Sequence, residues 1–300
     1  MAMDAQIAET VQTARGLIGA DVAGVTLLTL HGRGRFGLVF TGFQRSLERK
    51  IAVKLVPRDK VTARGFIGEA AVAAALDHPN IVAVFDVGEY GEYLYIAMQL
   101  VDGDSLRTLI KRRLRHPSPS QRYVDLPTVL RTVAHTLDAL AYANRSGVVH
   151  QDVKPGNILI ERGSGRSYLA DFGIARTEQT EEESALVRGT PLYMPPEQAR
   201  GEATDARADV FATGVTLWES LSGTLPVPSF SSLKLVGIKA RKPHAFFKQT
   251  PSESSERIDK ELEAIIQKAT ASHKDDRYAD CAEFLEEIKE YADKKLGLML

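Results

Sequence analysis

His150-Gln151-Asp152-Val153-Lys154-Pro155-Gly156-Asn157, with Asp171-Phe172-Gly173 beginning fourteen residues after Asn157, decides the reading of this 300-residue chain. The two stretches set two carboxylates, one ammonium and one amide at fixed intervals. Carboxylate and amide oxygens are the ligands a hard divalent cation such as Mg²⁺ takes. The lysine between them supplies positive charge for a phosphoryl group. Such a set suits phosphoryl transfer, where positioning and charge stabilisation carry most of the catalysis.

Working outward, Leu126 to Asn144 places Leu130, Val133, Leu137 and Leu140 on one helical face. Ser105 to Arg113 predicts a shorter helix, and His116-Pro117-Ser118-Pro119-Ser120 between the two reads as a loop. Further upstream the pattern is strand-like over Val25 to Leu30, Leu38 to Phe43, Ile51 to Val56, Ile81 to Val87 and Tyr93 to Leu100. Arg64 to Leu76 interrupts these strands as a helix. A sheet-rich first third and a helical remainder imply two lobes joined near Gln99 to Gly103. Ahead of them, Ile7, Val11, Ala14, Leu17 and Ile18 recur at helical spacing, so residues 1–24 read as a helical extension.

Bulk properties narrow the classes. A 44% hydrophobic content supports a sizeable core, and a net charge of -1 gives no global pull toward nucleic acid or an anionic membrane. The one cysteine, Cys281, excludes an intramolecular disulfide and reads as a small packed residue. No apolar run approaches the roughly 20 residues of a membrane span. The start of the chain lacks the basic and apolar blocks of a secretory signal. The chain as given therefore reads as cytoplasmic, while a longer, membrane-anchored parent stays open.

Two motifs upstream join the first. Gly32-Arg33-Gly34-Arg35-Phe36-Gly37-Leu38-Val39 is weak alone, because glycine triplets also open the helices of dinucleotide-binding folds. Here a second strand follows the glycines, which places them in a hairpin that lies close over phosphates. Lys54 closes the apolar strand Ile51-Ala52-Val53-Lys54, and Glu69 follows fifteen residues later in the helix. Their pairing would hold the ammonium toward nucleotide phosphates.

Together these residues resemble a eukaryotic-like (Hanks-type) protein Ser/Thr kinase of the bacterial branch, over about residues 25 to 290. Asp77-His78-Pro79-Asn80 and Val101-Asp102-Gly103 are similar to that branch as well. The resemblance implies an α+β, bilobal fold. An N-lobe (25–98) of five antiparallel strands and one helix leads through a hinge (99–103) to a mainly helical C-lobe (104–296). It implies ATP and Mg²⁺ as cofactors, with Asp152 orienting the substrate hydroxyl, Lys154 neutralising the transferring phosphoryl, and Asn157 and Asp171 as metal ligands. Lys54 and Glu69 join the catalytic set. His31, Gly32, Gly34, Gly37, Val39, Ala52, Lys54, Met98, Gln99, Val101 and Leu159 would surround the nucleotide. Ala52 and Leu159 would sandwich the base, Met98 would back it, and Gln99, Leu100 and Val101 would meet it through backbone groups.

Downstream, Gly189-Thr190-Pro191 to Pro195-Pro196-Glu197 resembles the segment that receives a peptide, and Lys154 with Thr190 resembles the Ser/Thr-specific pattern. Glu197 is expected to pair with Arg277, and Asp209 to brace the catalytic loop. The implied partners are a protein carrying Ser or Thr, and the chain itself by autophosphorylation. Nucleic acid is not among them. Kinases of this type often pair through the small lobe, so a homodimer is an open reading.

Three departures stand out. Gln151 replaces the arginine that, in the family, is held by phosphate on the activation segment. Glutamine has no charge to meet phosphate on Thr177, Thr180 or Ser184, so activity independent of that phosphorylation is expected. His31 stands where an apolar residue usually covers the base, and Pro195 replaces an alanine. Glu181 to Glu183 reads as a solvated charge run, with a stand-in for phosphate as the alternative; Lys111 to His116 reads as a solvated helix end or an attractor of acidic substrates or phosphate; Lys234 to Lys248, with Phe246 and Phe247, could dock a partner. A pseudokinase scaffold is the alternative reading, which loss of any of Lys54, Glu69, Asp152, Asn157 or Asp171 would favour. A small-molecule kinase of related fold generally lacks the Gly-Thr-Pro to Pro-Glu segment.

Overall fold

The computed structural model describes residues 13–33, 37–172, 191–225, 232–241, 247 and 249–300. Gly34, Gly173, Thr177, Thr180, Glu181 to Glu183, Ser184, Gly189, Thr190, Phe246 and Lys248 lie outside the described residues. The described chain forms two compact units. The first runs to Asp77 and includes Val82–Leu100; the second comprises His78–Ile81 and the residues from Val101 onward.

The first unit is an antiparallel sheet of six strands, ordered β1-β2-β3-β4-β6-β5. They are β1 (Asp21–Val22), β2 (Val25–Arg33), β3 (Leu38–Gln44), β4 (Arg49–Pro57), β5 (Val84–Tyr90) and β6 (Tyr93–Met98). Five were expected, and the additional strand is β1. Ala23 at φ 51° and Gly24 at φ 80° form the two-residue turn that joins it to β2. Positive φ at both central positions matches the twist of paired strands, and the Gly24 N–H donates to the Asp21 carboxylate at 2.8 Å. A two-residue strand is too short to show alternation in sequence.

Alternation along the strands separates two faces. Leu38, Phe40, Ile51, Val53, Leu55, Tyr95 and Ala97 line one. Ala14, Leu17 and Ala20 pack into that core. Residues 13–17 are helical, and the Leu27 N–H donates to the Ala20 carbonyl at 2.9 Å. The end of the expected extension is therefore part of this unit's core. On the opposite face, cross-strand register aligns Gly32 with Val39, Val39 with Lys54, and Ala52 with Met98. Helix α1 (Ala63–Ala74) starts at Thr62, whose hydroxyl accepts from the Gly65 N–H at 3.3 Å, and it buries Phe66, Ala70 and Ala73.

The second unit is mainly helical. It contains α2 (Leu106–Leu114), α3 (Leu126–Arg145), α4 (Pro196–Ala199), α5 (Ala206–Ser222), α6 (Ser232–Arg241), α7 (Pro251–Ser254), α8 (Lys260–Ala269) and α9 (Cys281–Leu296). A small sheet of β7 (Gly103–Ser105), β8 (Ile158–Glu161) and β9 (Ser167–Leu169) frames the residues around Asp152 and Asp171. Helix α5 is buried on nearly every side, as a helix at the centre of a domain must be. Cys281 is fully buried at the start of α9, and burial pushes its thiol well up, so it stays a packed, protonated residue. No helix among the described residues is long and apolar enough to cross a membrane.

Candidate active site

The loop between α3 and β8 carries Asp152, Lys154 and Asn157, Asp171 follows β9, and Asp209 shapes the loop from α5. Asp209 is fully buried. Its carboxylate accepts the backbone N–H of His150 and of Gln151, each at 2.9 Å, and the Asn144 side-chain amide at 3.3 Å. Burial pushes this carboxyl up, and those donors oppose the shift. A carboxylate in this position holds two consecutive amides, as expected for Asp209. Gln151 sits at φ 64°, a left-handed conformation that a non-glycine residue holds only when its surroundings impose it.

The bend turns Asp152 outward. The Asp152 N–H donates to His150 Nδ1 at 3.2 Å, and His150 Nε2 lies 3.1 Å from the Ala170 carbonyl. Both contacts fit a neutral imidazole protonated on Nε2. The ring also meets Phe172 edge-on at 4.6 Å. His150 and Phe172 thus act as packing residues between Asp152 and Asp171.

Around Asp152 the expected groups converge. Lys154 Nζ lies 2.5 Å from Asp152 Oδ2. Asn157 Nδ2 donates to the Asp152 carbonyl at 2.9 Å and to its Oδ2 at 3.1 Å. These bonds fix the Asn157 nitrogen and leave its amide oxygen as an acceptor. The Ala170 N–H donates to the Asn157 carbonyl at 2.9 Å, which places Asp171 beside the same loop. The Asn157 amide oxygen and the Asp171 carboxylate are oxygen donors of the kind a hard divalent cation takes, so these two residues would hold Mg²⁺ and it would supply positive charge there. The donor set therefore fits a hard divalent cation.

In the first unit, the sheet gathers Gly32, Val39, Ala52, Lys54 and Met98 on one face. Lys54 is only 7% exposed, and Glu69 is half-buried on α1. Gly37 is required by close approach, since a Cβ there would lie 2.0 Å from the Leu55 carbonyl oxygen. His31 falls at a register shift between Leu30 and Gly32 and is exposed. The Gln99 N–H donates to the Ala83 carbonyl at 2.8 Å, so that amide is already engaged. Leu159 and Val101 belong to the second unit.

The segment after Pro191 is tied down by groups that sequence reasoning mostly missed. Glu197 and Arg277 form the expected pair, with bonds of 2.7 and 2.9 Å between fully buried side chains. Arg107 Nη2 donates to the Tyr193 hydroxyl at 2.8 Å, and that hydroxyl donates to Glu219. Burial pushes both the Tyr193 hydroxyl and the Glu219 carboxyl up; the hydrogen bond from Tyr193 and the Arg107 charge oppose the shift at Glu219. Gln151 Nε2 donates to Thr204 Oγ1 at 2.5 Å. Lys239, within the basic stretch read as surface, is buried, and Phe247 packs on Trp218 at 4.4 Å. In the other basic cluster, Arg112 pairs with Asp104 at 2.8 Å. No local spacing links Arg107, Thr204, Glu219 or Lys239 to the motifs, so nothing in the linear pattern singles them out.

A sheet unit with a buried lysine and a helical unit with a braced Asp-Lys-Asn loop define a phosphotransferase domain. The protein kinase domain family matches residues 26–290. Serine/threonine-protein kinase PknB of Mycobacterium leprae is 37% identical over 248 residues, covering 79% of this chain and 38% of that protein. Serine/threonine-protein kinase pkn3 of Myxococcus xanthus is 35% identical over 278 residues, covering 87% of this chain and 48% of that protein. Among solved structures, the kinase domain of Mycobacterium tuberculosis PknI aligns with a TM-score of 0.72 at 27% identity, covering 91% of this chain and 98% of that one. The chain belongs to the protein kinase family, with the sheet-rich N-lobe and helical C-lobe of that fold. It spans less than half the length of these two curated relatives. Membership implies ATP and a divalent metal.

Proposed function

We propose that this chain is the catalytic domain of an ATP-dependent protein serine/threonine kinase, with residues 25–98, 99–103 and 104–296 as N-lobe, hinge and C-lobe. The observation that carries this reading is the convergence of Lys154 at 2.5 Å and Asn157 at 3.1 Å on Asp152 Oδ2. In this reading Asp152 orients the acceptor hydroxyl and takes its proton. Lys154, already beside that carboxylate, neutralises charge on the phosphoryl in flight. Asn157 and Asp171 hold Mg²⁺, which supplies charge neutralisation at the phosphates when bound. Lys54, held by Glu69, grips the nucleotide phosphates beneath the loop of Gly32, Gly34 and Gly37. His31, Val39, Ala52, Met98, Leu159 and the backbone of Gln99 and Val101 surround the base. With its N–H engaged by Ala83, Gln99 contributes its carbonyl. Thr190 and the residues after it receive a Ser- or Thr-bearing protein.

The same reading makes activity independent of activation-segment phosphorylation. Gln151 carries no charge, and its amide donates to Thr204. The catalytic loop therefore has a neutral tie on the side where an arginine would await phosphate.

The test is intact-mass spectrometry after incubation with Mg-ATP, beside an Asp152→Asn control. Mass gains of one phosphate each, in the wild type only and mapped to Ser or Thr, are expected. No gain together with no thermal stabilisation by Mg-ATP would defeat the reading in favour of a scaffold. Loss of most activity on phosphatase treatment would defeat the independence from phosphorylation.

A further inference from the structure

Lys239 is 1% exposed on α6. Its Nζ donates to the Leu192 carbonyl at 2.8 Å and to the Met194 carbonyl at 2.6 Å. The Phe211 ring lies 5.2 Å away. Burial pushes the amine well below the usual lysine range; the Arg277 charge adds to that shift, and Glu197 opposes it. A buried amine is tolerated when its donors are satisfied, and here two backbone carbonyls of one short segment accept from it.

That segment is held at three levels. Arg277 grips the Glu197 side chain at the segment's far end. Arg107 and Glu219 hold the Tyr193 hydroxyl at the tip of a long side chain. Lys239 holds the main chain itself, on both sides of Tyr193. Two carbonyls tied to one nitrogen fix how the backbone runs from Leu192 to Met194. Neither of the other anchors imposes that path, because both act through side-chain torsions.

We propose that Lys239 is a positioning residue for the acceptor protein. It sets the backbone path of Leu192 to Met194, and so the shape of the surface that receives the acceptor, without touching acceptor or nucleotide. This rests on reading that segment as the acceptor-binding one. A purely structural lysine would stabilise the second unit and leave the balance of kinetic constants alone. A positioning lysine changes acceptor binding selectively.

The experiment compares wild type, Lys239→Met and Lys239→Arg with myelin basic protein as acceptor. Lys239→Met keeps the unbranched side chain as far as Cε and removes its donors; Lys239→Arg keeps donors. Steady-state rates are measured against acceptor and, separately, against ATP, with melting temperature alongside. Lys239→Met is expected to raise the acceptor KM about tenfold or more while the ATP KM stays within about twofold. Lys239→Arg is expected to recover most of the loss. Hydrogen exchange at the Leu192, Tyr193 and Met194 amides is expected to quicken in Lys239→Met. An unchanged acceptor KM overturns the inference, as does an equal loss in both KM values that tracks a fall in melting temperature. If Lys239→Met does not fold, Lys239→Gln, which retains a shorter donor, decides on the same criteria. A wild type that phosphorylates no acceptor defeats the kinase reading itself. A wild type that is active, with an indifferent Lys239→Met, defeats only the role of Lys239.

Discussion

Replacing Arg277 by leucine removes one half of a buried ion pair. The Glu197 and Arg277 side chains are 4% and 0% exposed. The guanidinium donates twice to the carboxylate, at 2.7 and 2.9 Å, and also to the carbonyls of Ala271 at 2.8 Å and Arg207 at 3.0 Å. Leucine would leave a carboxylate stranded in the interior and three carbonyls, that of Ser272 at 3.4 Å included, without this donor. Breaking a buried pair from one side costs about 3–5 kcal/mol, a large share of the roughly 5–15 kcal/mol that holds a domain folded. Trp218 is the only tryptophan in the chain and is buried in α5, so its fluorescence during urea unfolding reports on the second unit. The midpoint should fall markedly with little change in slope. Adding Glu197→Leu should then cost less than the sum of the single changes, because no charge is left stranded; a coupling of about 2 kcal/mol is expected for such neighbours. An Arg277→Leu loss below about 1 kcal/mol, or strict additivity in the double variant, would refute the argument that desolvation governs this site.

Three further predictions use other parts of the structure. Asp152→Asn should keep nucleotide binding, read by thermal shift, and lower turnover by about 10²-fold or more; near-normal turnover would remove Asp152 from the mechanism. Gly37→Ala should destabilise the first unit by about 1–3 kcal/mol through overpacking against the Leu55 carbonyl and weaken stabilisation by Mg-ATP; wild-type behaviour would contradict the close approach. Asp205, which caps α5, has its carboxyl pulled to about 2 by hydrogen bonds from Arg207. Its folded pKa is below the unfolded value of about 3.9, so this stabilisation is complete above that value and is lost as pH falls toward 2. The carboxylate is 43% exposed and screened, so the effect should stay below about 1 kcal/mol. The stability gap between wild type and Asp205→Asn should narrow from pH 6 to pH 3; a gap that widens would contradict the sign.

Much of the site was legible because its chemistry is local. Asp152, Lys154 and Asn157 share one loop, and Asp171 follows after a short hairpin, so the linear spacing brings the four together. The strands of the first unit were legible from their runs of Val, Ile, Leu and Phe, while the grouping of Val39 with Ala52 and Lys54 came from the resemblance, since nothing local joins the two strands. The expected Glu197–Arg277 and Asp209 contacts came from resemblance, since nothing local joins those positions. Strand β1 was missed because its signal is a turn, Ala23-Gly24, rather than a pattern.

Residue chemistry and local periodicity were readable along the chain: glycines between two strands, a lysine closing an apolar strand, and an Asp-Lys-Asn loop followed by Asp171. Tertiary structure alone decided solvation and long-range partnership. It turned Lys239 from an apparent surface charge into a buried clip on two carbonyls, gave Gln151 a neutral partner in Thr204, and drew Ala14 and Leu17 of the expected extension into the sheet's core. The physical reason is that a side chain's solvation depends on which distant atoms close around it. A lysine reads the same in sequence whether water or two backbone carbonyls accept its hydrogen bonds.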